Sequence, residues 1–197
     1  MRETRAMCAG LTAAVFLLAS DARAGEEWNV GRNVASARCV SMDQINHGAW
    51  DRLLKKHVDS QGYVNYRDWH ASAADRQALD SYLKVLSTAS ASKSATSSAK
   101  IAFWINAYNA VTIKGILREY PTTTIRNHTA KLWGYNIWHD LKLWVGGGRY
   151  SLDQMEHKIL RKMGEPRIHF AIVCASISCP KLLNEAYEPR RLDSQLT

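Results

Sequence analysis

The chain has 197 residues, 46% hydrophobic and 22% charged, with eleven Gly and only four Pro. That composition excludes a disordered, collagen-like or disulfide-dense chain, and seven Trp and eight Tyr supply large apolar surfaces for one sizeable core. The net charge of +8 is spread along the sequence rather than gathered in a stripe, so nucleic acid is not an expected partner.

Arg2 and Arg5 precede an almost unbroken apolar run from Met7 to Ala19, and Ala22-Arg23-Ala24 sets small residues before Gly25. Residues 1–24 read as a secretory signal peptide, and the protein is expected to be exported, periplasmic or secreted. The apolar run falls short of the roughly 20 residues that a bilayer-spanning helix needs, so no stable membrane span is expected. In an oxidising compartment Cys39, Cys174 and Cys179 are able to form disulfides, and their odd number means that at least one stays free, pairs between molecules or has a partner outside this chain.

Residues 25–47 lack a clear period and read as an irregular lead-in, and residues 48–197 read as a single globular domain. Trp50, Leu53, Leu54 and Val58 recur at helical spacing, and Asp59-Ser60-Gln61-Gly62 turns into strand-like Tyr63 to Tyr66. A second helix is expected over Ala73 to Leu86. After a loop of Ser, Ala, Thr and Lys, Ser97 or Ser98 is placed to cap a third helix that is apolar nearly all round from Ile101 to Val111, as a buried helix would be. Asn106 and Asn109 interrupt it three residues apart. Buried without partners each would cost about 1–3 kcal/mol, so they either bond loop backbone or orient a catalytic ring or substrate amide.

Leu141 to Val145 alternates like a strand. Gly146-Gly147-Gly148 then suits a hairpin turn rather than a phosphate cradle, since no Lys-Ser/Thr and no helix comes directly after it. Ser151 with Gln154 forms a capping box for a fourth helix, whose stripe of Leu152, Met155, Ile159, Leu160 and Met163 includes Glu156 and is flanked by His157. A carboxylate there needs a structural partner or belongs to a polar site. Arg167 to Cys174 reads as a central strand that breaks into the small-residue loop Ala175 to Pro180. In such a strand His169 and Cys174 point to opposite faces, which leaves His157 as the freer base for Cys174. The chain ends on a helix-like start after Pro189 without a closing signal, so the domain is expected to be C-terminally incomplete. The fold class is α+β: several helices, one of them buried, packed on a small mixed sheet.

Three blocks in order, Ala102-Phe103-Trp104-Ile105-Asn106-Ala107-Tyr108-Asn109-Ala110, Leu152 to Arg161, and His169 to Ser176 with Ser178-Cys179-Pro180, resemble the family known as domain of unknown function 547. The resemblance covers about Trp50 to Leu196. It implies a bacterial protein of a kind often exported, whose relatives continue past the point where this chain stops, and it brings no established activity. In plant members the position matching Cys179 is Ser while that matching Cys174 stays Cys, which favours Cys174 as any common chemical group.

Two function classes stay open, one of them catalytic. In the leading one the chain is an envelope binding or structural module, with Cys174 and Cys179 closing a small disulfide loop. In the other it is a thiol-dependent hydrolase or transferase acting on peptide-like amide or thioester bonds. There Cys174 is the nucleophile, His157 raises its thiolate fraction, Asn106, Asn109 or Glu156 orients the imidazole, and Ser176 helps to stabilise an oxyanion. Partners would be a peptide-like small molecule or an anionic envelope polymer. No cofactor is implied, and a metal site built from His157, His169, Cys174 and Cys179 lacks paired close-spaced ligands.

Overall fold

The computed structural model describes residues 28–122, 136–174 and 180–197, so the signal peptide read at 1–24 lies outside the described residues. A three-stranded sheet is assembled from distant parts of the chain. Strand β1 (Trp28–Val30) runs parallel to β2 (Leu141–Val145), which pairs antiparallel with β3 (Gly148–Ser151) in the order β1-β2-β3. The lead-in thus supplies the parallel edge of a mixed sheet. Between β2 and β3 the chain reverses at Gly146 and Gly147, whose φ values of 58° and 85° suit a tight hairpin turn of the expected kind.

Helices α1 (Gly48–His57), α2 (Tyr66–Ala71) and α3 (Ala73–Leu86) precede the long α4 (Ser97–Glu119). The third of these has the bounds its periodicity predicts. The strand-like reading of Tyr63 to Tyr66 does not hold: only Val64 pairs, in an isolated bridge to Val58, because the Asn65 side chain accepts from the Asp68 N–H and starts α2 at Tyr66. Every residue of α4 from Ile101 to Ile113 is buried, as its all-round apolarity requires. Its cap is Thr96, one residue before the expected serines, with the Thr96 hydroxyl in turn donating to Asp43 Oδ1 at 2.7 Å. The helices and sheet together give an α+β protein.

Around the start of α4 the core is aromatic. Trp50 stacks on Tyr82 with ring centroids 5.7 Å apart and planes 3° from parallel, and buried His47 stands edge-on to the same tyrosine. Strand β1 is fastened to this helical layer through Gly31, at φ 79°, where a Cβ would lie 2.1 Å from Ser87 Oγ and 3.0 Å from the Leu83 carbonyl oxygen. Ser87 Oγ itself accepts from the Arg32 N–H at 3.0 Å. A Gly31→Ala substitution is therefore expected to cost about 2 kcal/mol, read as a lowered urea midpoint, because the left-handed backbone and the close approach both exclude a side chain.

Beyond β3 the capping box forms as expected: Gln154 N–H donates to Ser151 Oγ at 3.3 Å and Ser151 N–H to Gln154 Oε1 at 3.0 Å. The segment it caps is not a regular α-helix but a π-helical turn (Gln154–Ile159) running into a 3-10 turn (Leu160–Met163). Leu152, Met155 and Leu160 of the predicted stripe are buried.

The central strand expected over Arg167 to Cys174 is absent. Pro166 opens a 3-10 turn (Pro166–Phe170) capped by Glu165, whose side chain accepts from the Arg167 N–H; within it only Ile168 is buried, and Phe170 is 72% exposed. The segment after the turn takes its hydrogen bonds from a side chain instead of a sheet. Asn109 Nδ2 donates to the Ala171 carbonyl at 2.9 Å, and its Oδ1 accepts from the Val173 N–H at 2.9 Å. A carboxamide carries one acceptor and one donor group, as a peptide unit does, so an asparagine on a buried helix can stand where a neighbouring strand would. The argument from strand parity separating His169 from Cys174 falls with the strand.

Candidate ligand-binding cleft around Cys174

Four parts of the chain converge on a cleft of about 330 Å³ lined by Tyr108, Trp138, His139, Asp153, Glu156, His157 and Cys174. Helix α4 sends in Tyr108, while its neighbour Asn109 fixes the backbone that leads to Cys174. The short helix α5 (Ile137–Asp140), capped by the Asn136 side chain, brings Trp138 and His139. Asp153 at the head of the π-helical turn and Glu156 and His157 within it complete the wall.

The π-helical geometry decides the setting of Glu156. Residues five apart lie about 140° apart around an α-helix and do not meet, whereas the wider turn lets Arg161 Nη2 reach Glu156 Oε1 at 2.7 Å. On its other side Glu156 Oε2 is 3.5 Å from the Tyr108 hydroxyl. Burial, reinforced by the negative charge of Glu156, pushes the Tyr108 hydroxyl well above its ordinary range, so it stays protonated and available as a donor. His157 Nε2 lies 3.7 Å from Asp153 Oδ1, a loose contact one helical turn apart on a half-open surface.

Of the residues singled out from sequence, Cys174, His157 and Glu156 share this cleft. Cys174 is half-buried and disulfide-bonded, while Cys39 is a free, buried thiol. Asn109 stands behind the cleft, with its amide engaged by backbone. Asn106 lies elsewhere: fully buried, it donates to the Tyr187 carbonyl at 2.8 Å and accepts from the Tyr187 N–H at 3.0 Å. Both asparagines bond loop backbone, one of the two roles their placement allowed. Ser176 and Cys179 lie outside the described residues. His169 is exposed and does not line the cleft. Among the described residues no three His, Cys, Asp or Glu side chains are grouped to hold a metal ion, and no helix is long and apolar enough to cross a membrane.

Sequence reasoning missed Tyr108, Trp138, His139 and Asp153. A readable signal existed for Asp153, which precedes His157 by four residues and so shares its helix face. The other three come from elements whose meeting is a tertiary fact.

The cleft is thus lined by acids and imidazoles, with a tyrosine donor and a half-buried cysteine, on an α+β scaffold, and its volume falls in the range usual for small-molecule pockets. The chain belongs to the family described as "Protein of unknown function, DUF547", which it matches over residues 92–197, a span that includes every side chain lining the cleft. No curated protein and no solved structure matches it.

Proposed function

We propose that the protein is an exported envelope binding module whose cleft takes a peptide-like small molecule. Asp153 and Glu156 would receive its amine or amide N–H groups, the Tyr108 hydroxyl would donate to a carbonyl, and Trp138 would cover an apolar side chain. The observation that carries this reading is the state of Cys174, which lines the cleft but is disulfide-bonded and so offers no thiolate. The secretory character of residues 1–24 accords with it, since disulfides persist in oxidising compartments.

A second reading draws on the convergence of Cys174, His157 and Asp153 on one cavity. After reduction by a small thiol, Cys174 would pass its proton to His157, and the thiolate would attack the substrate's carbonyl carbon. The amine or thiol leaving group would depart with that proton, and water would release the acid and restore the thiol.

Native thiol labelling of the full chain from about pH 5 to about pH 9, with mass-spectrometric mapping, separates the two. The expected result is no label on Cys174 until a reductant is added, with Cys179 released in parallel. Rapid labelling of Cys174 below about pH 7 without reductant would overturn the binding-module reading and put amide and thioester hydrolysis first.

A further inference from the structure

A second cavity, lined by a different set of residues, has the opposite charge. It measures about 580 Å³ and lies where β1, α3 and the C-terminal half of α4 meet, a volume within the usual range for small-molecule sites. Helix α3 contributes Arg76, Asp80 and Lys84 at four-residue spacing, and α4 contributes Lys114 and Arg118 at the same spacing, so each helix turns one polar ridge to the cavity. Four fixed cations therefore face one carboxylate, with the imidazole of His70 at the rim.

Two of these cations are paired and two are not. Asp80 Oδ1 binds Lys114 Nζ, which uses the single acid. Arg118 lies 3.3 Å from the centre of the Trp28 ring and contacts Glu119. Arg76 and Lys84 pair with no carboxylate among the described residues, and Arg76 is half-buried. Arg76 and exposed Lys84 thus present two cations to the cavity whose charge is left for an anion from solution to meet. By contrast, the basic runs elsewhere are partly compensated: Lys55 and Lys56 bind Asp51 and Asp75, and Arg161 binds Glu156. Beside the charges the accessible apolar surface comes from Val30 and Trp28, with buried Leu79 and Leu117 behind it.

We propose that this cavity binds a small amphiphilic anion, a carboxylate or phosphate carried on an apolar body, with the anionic head between Arg76 and Lys84 and the body against Val30 and Trp28. Asp80 competes with that head for Lys114. The proposal is independent of the Cys174 cleft and of its function.

Calorimetric titration of the full chain at low salt tests it, with hexyl phosphate, hexanoate and inorganic phosphate as probes. Hexyl phosphate should bind at least about tenfold more tightly than inorganic phosphate, because only it places methylenes on the apolar wall. The double variant Arg76→Gln/Lys84→Gln should weaken it by about tenfold or more, Asp80→Asn should strengthen it, and Lys158→Gln/Lys162→Gln, with the same change in net charge elsewhere, should leave it within about twofold. Vesicles of phosphatidylglycerol that sediment the parent but not the Arg76/Lys84 variant would identify the anion as a lipid headgroup, and vesicles that sediment neither would identify a free one. The site is overturned if hexyl phosphate does not bind, if inorganic phosphate binds as tightly, or if both double variants lose affinity equally.

Discussion

Replacing Asn106 by Leu is expected to destabilise the fold by about 4 kcal/mol, because it leaves the buried Tyr187 N–H and C=O without partners at once. Leu is close to Asn in shape, so little of the loss comes from a void. Asn109→Leu strips the same number of hydrogen bonds, but Val173 is half-buried and water can reach part of the freed backbone, so about 2 kcal/mol is expected there. The two substitutions should also differ in where they act. Amide exchange after Asn106→Leu should rise around Tyr187, at the end of the chain that carries Leu192 and Leu196 into the core, and after Asn109→Leu in the backbone before Cys174. Urea melts together with mapped exchange provide the check. A catalytic asparagine that merely orients an imidazole would give the reverse, a loss of function with the urea midpoint unchanged.

These two residues also explain where reading from sequence succeeded and where it stopped. Helix α3, strand β2, the glycine hairpin and the Ser151–Gln154 box are set by contacts within a few residues, and each forms where its local pattern puts it. Arg167 to Cys174 has the apolarity of a central strand, yet its ladder partners come from Asn109, more than sixty positions away on a buried helix. No local pattern distinguishes a carboxamide that replaces a strand from one that binds a substrate. The polar atoms in the middle of the apolar block announced that partners exist, but not which. The same holds for the cleft: Glu156 and His157 were visible as anomalies on one stripe, whereas Tyr108 was hidden as one more aromatic of an all-apolar helix and acquires its meaning only from the Glu156 carboxylate at 3.5 Å.

The two cavities extend the point to charge. A net +8 spread evenly in sequence is sorted by the fold into a cleft with two carboxylates and two imidazoles and a cavity with four fixed cations and one acid. Periodicity along α3 and α4 brings this about, since residues four apart in each helix fall on one ridge facing β1. The two cavities thus carry charge of opposite sign on separate sets of side chains.

Acid is expected to loosen the aromatic core through His47. The residue is 2% exposed, its Nδ1 lies 2.7 Å from the Tyr82 hydroxyl, and burial pushes its pKa down from 6.5 to about 4. Burial also raises Tyr82, so the phenol stays protonated and donates to a neutral imidazole. The unfolded chain binds a proton at this position near pH 6.5 and the folded chain only near pH 4. The stabilisation is thus complete above about pH 6.5 and falls away as the pH drops towards about 4, by about 3 kcal/mol in all. Glu188 acts oppositely near its own range, because burial raises its carboxyl, while Asp75 is held down to about 2 mainly by Lys56 and contributes only at lower pH. His47→Asn retains an acceptor for the Tyr82 hydroxyl and leaves Glu188 and Asp75 in place, so the difference between parent and variant isolates the imidazole. Urea melts at about pH 7 and about pH 4.5 should show the parent losing some 2–3 kcal/mol more than His47→Asn over that interval. Parallel pH profiles would show that His47 protonates in the folded core without opening it, and the stacking of Trp50 on Tyr82 would then have to tolerate an imidazolium at its edge.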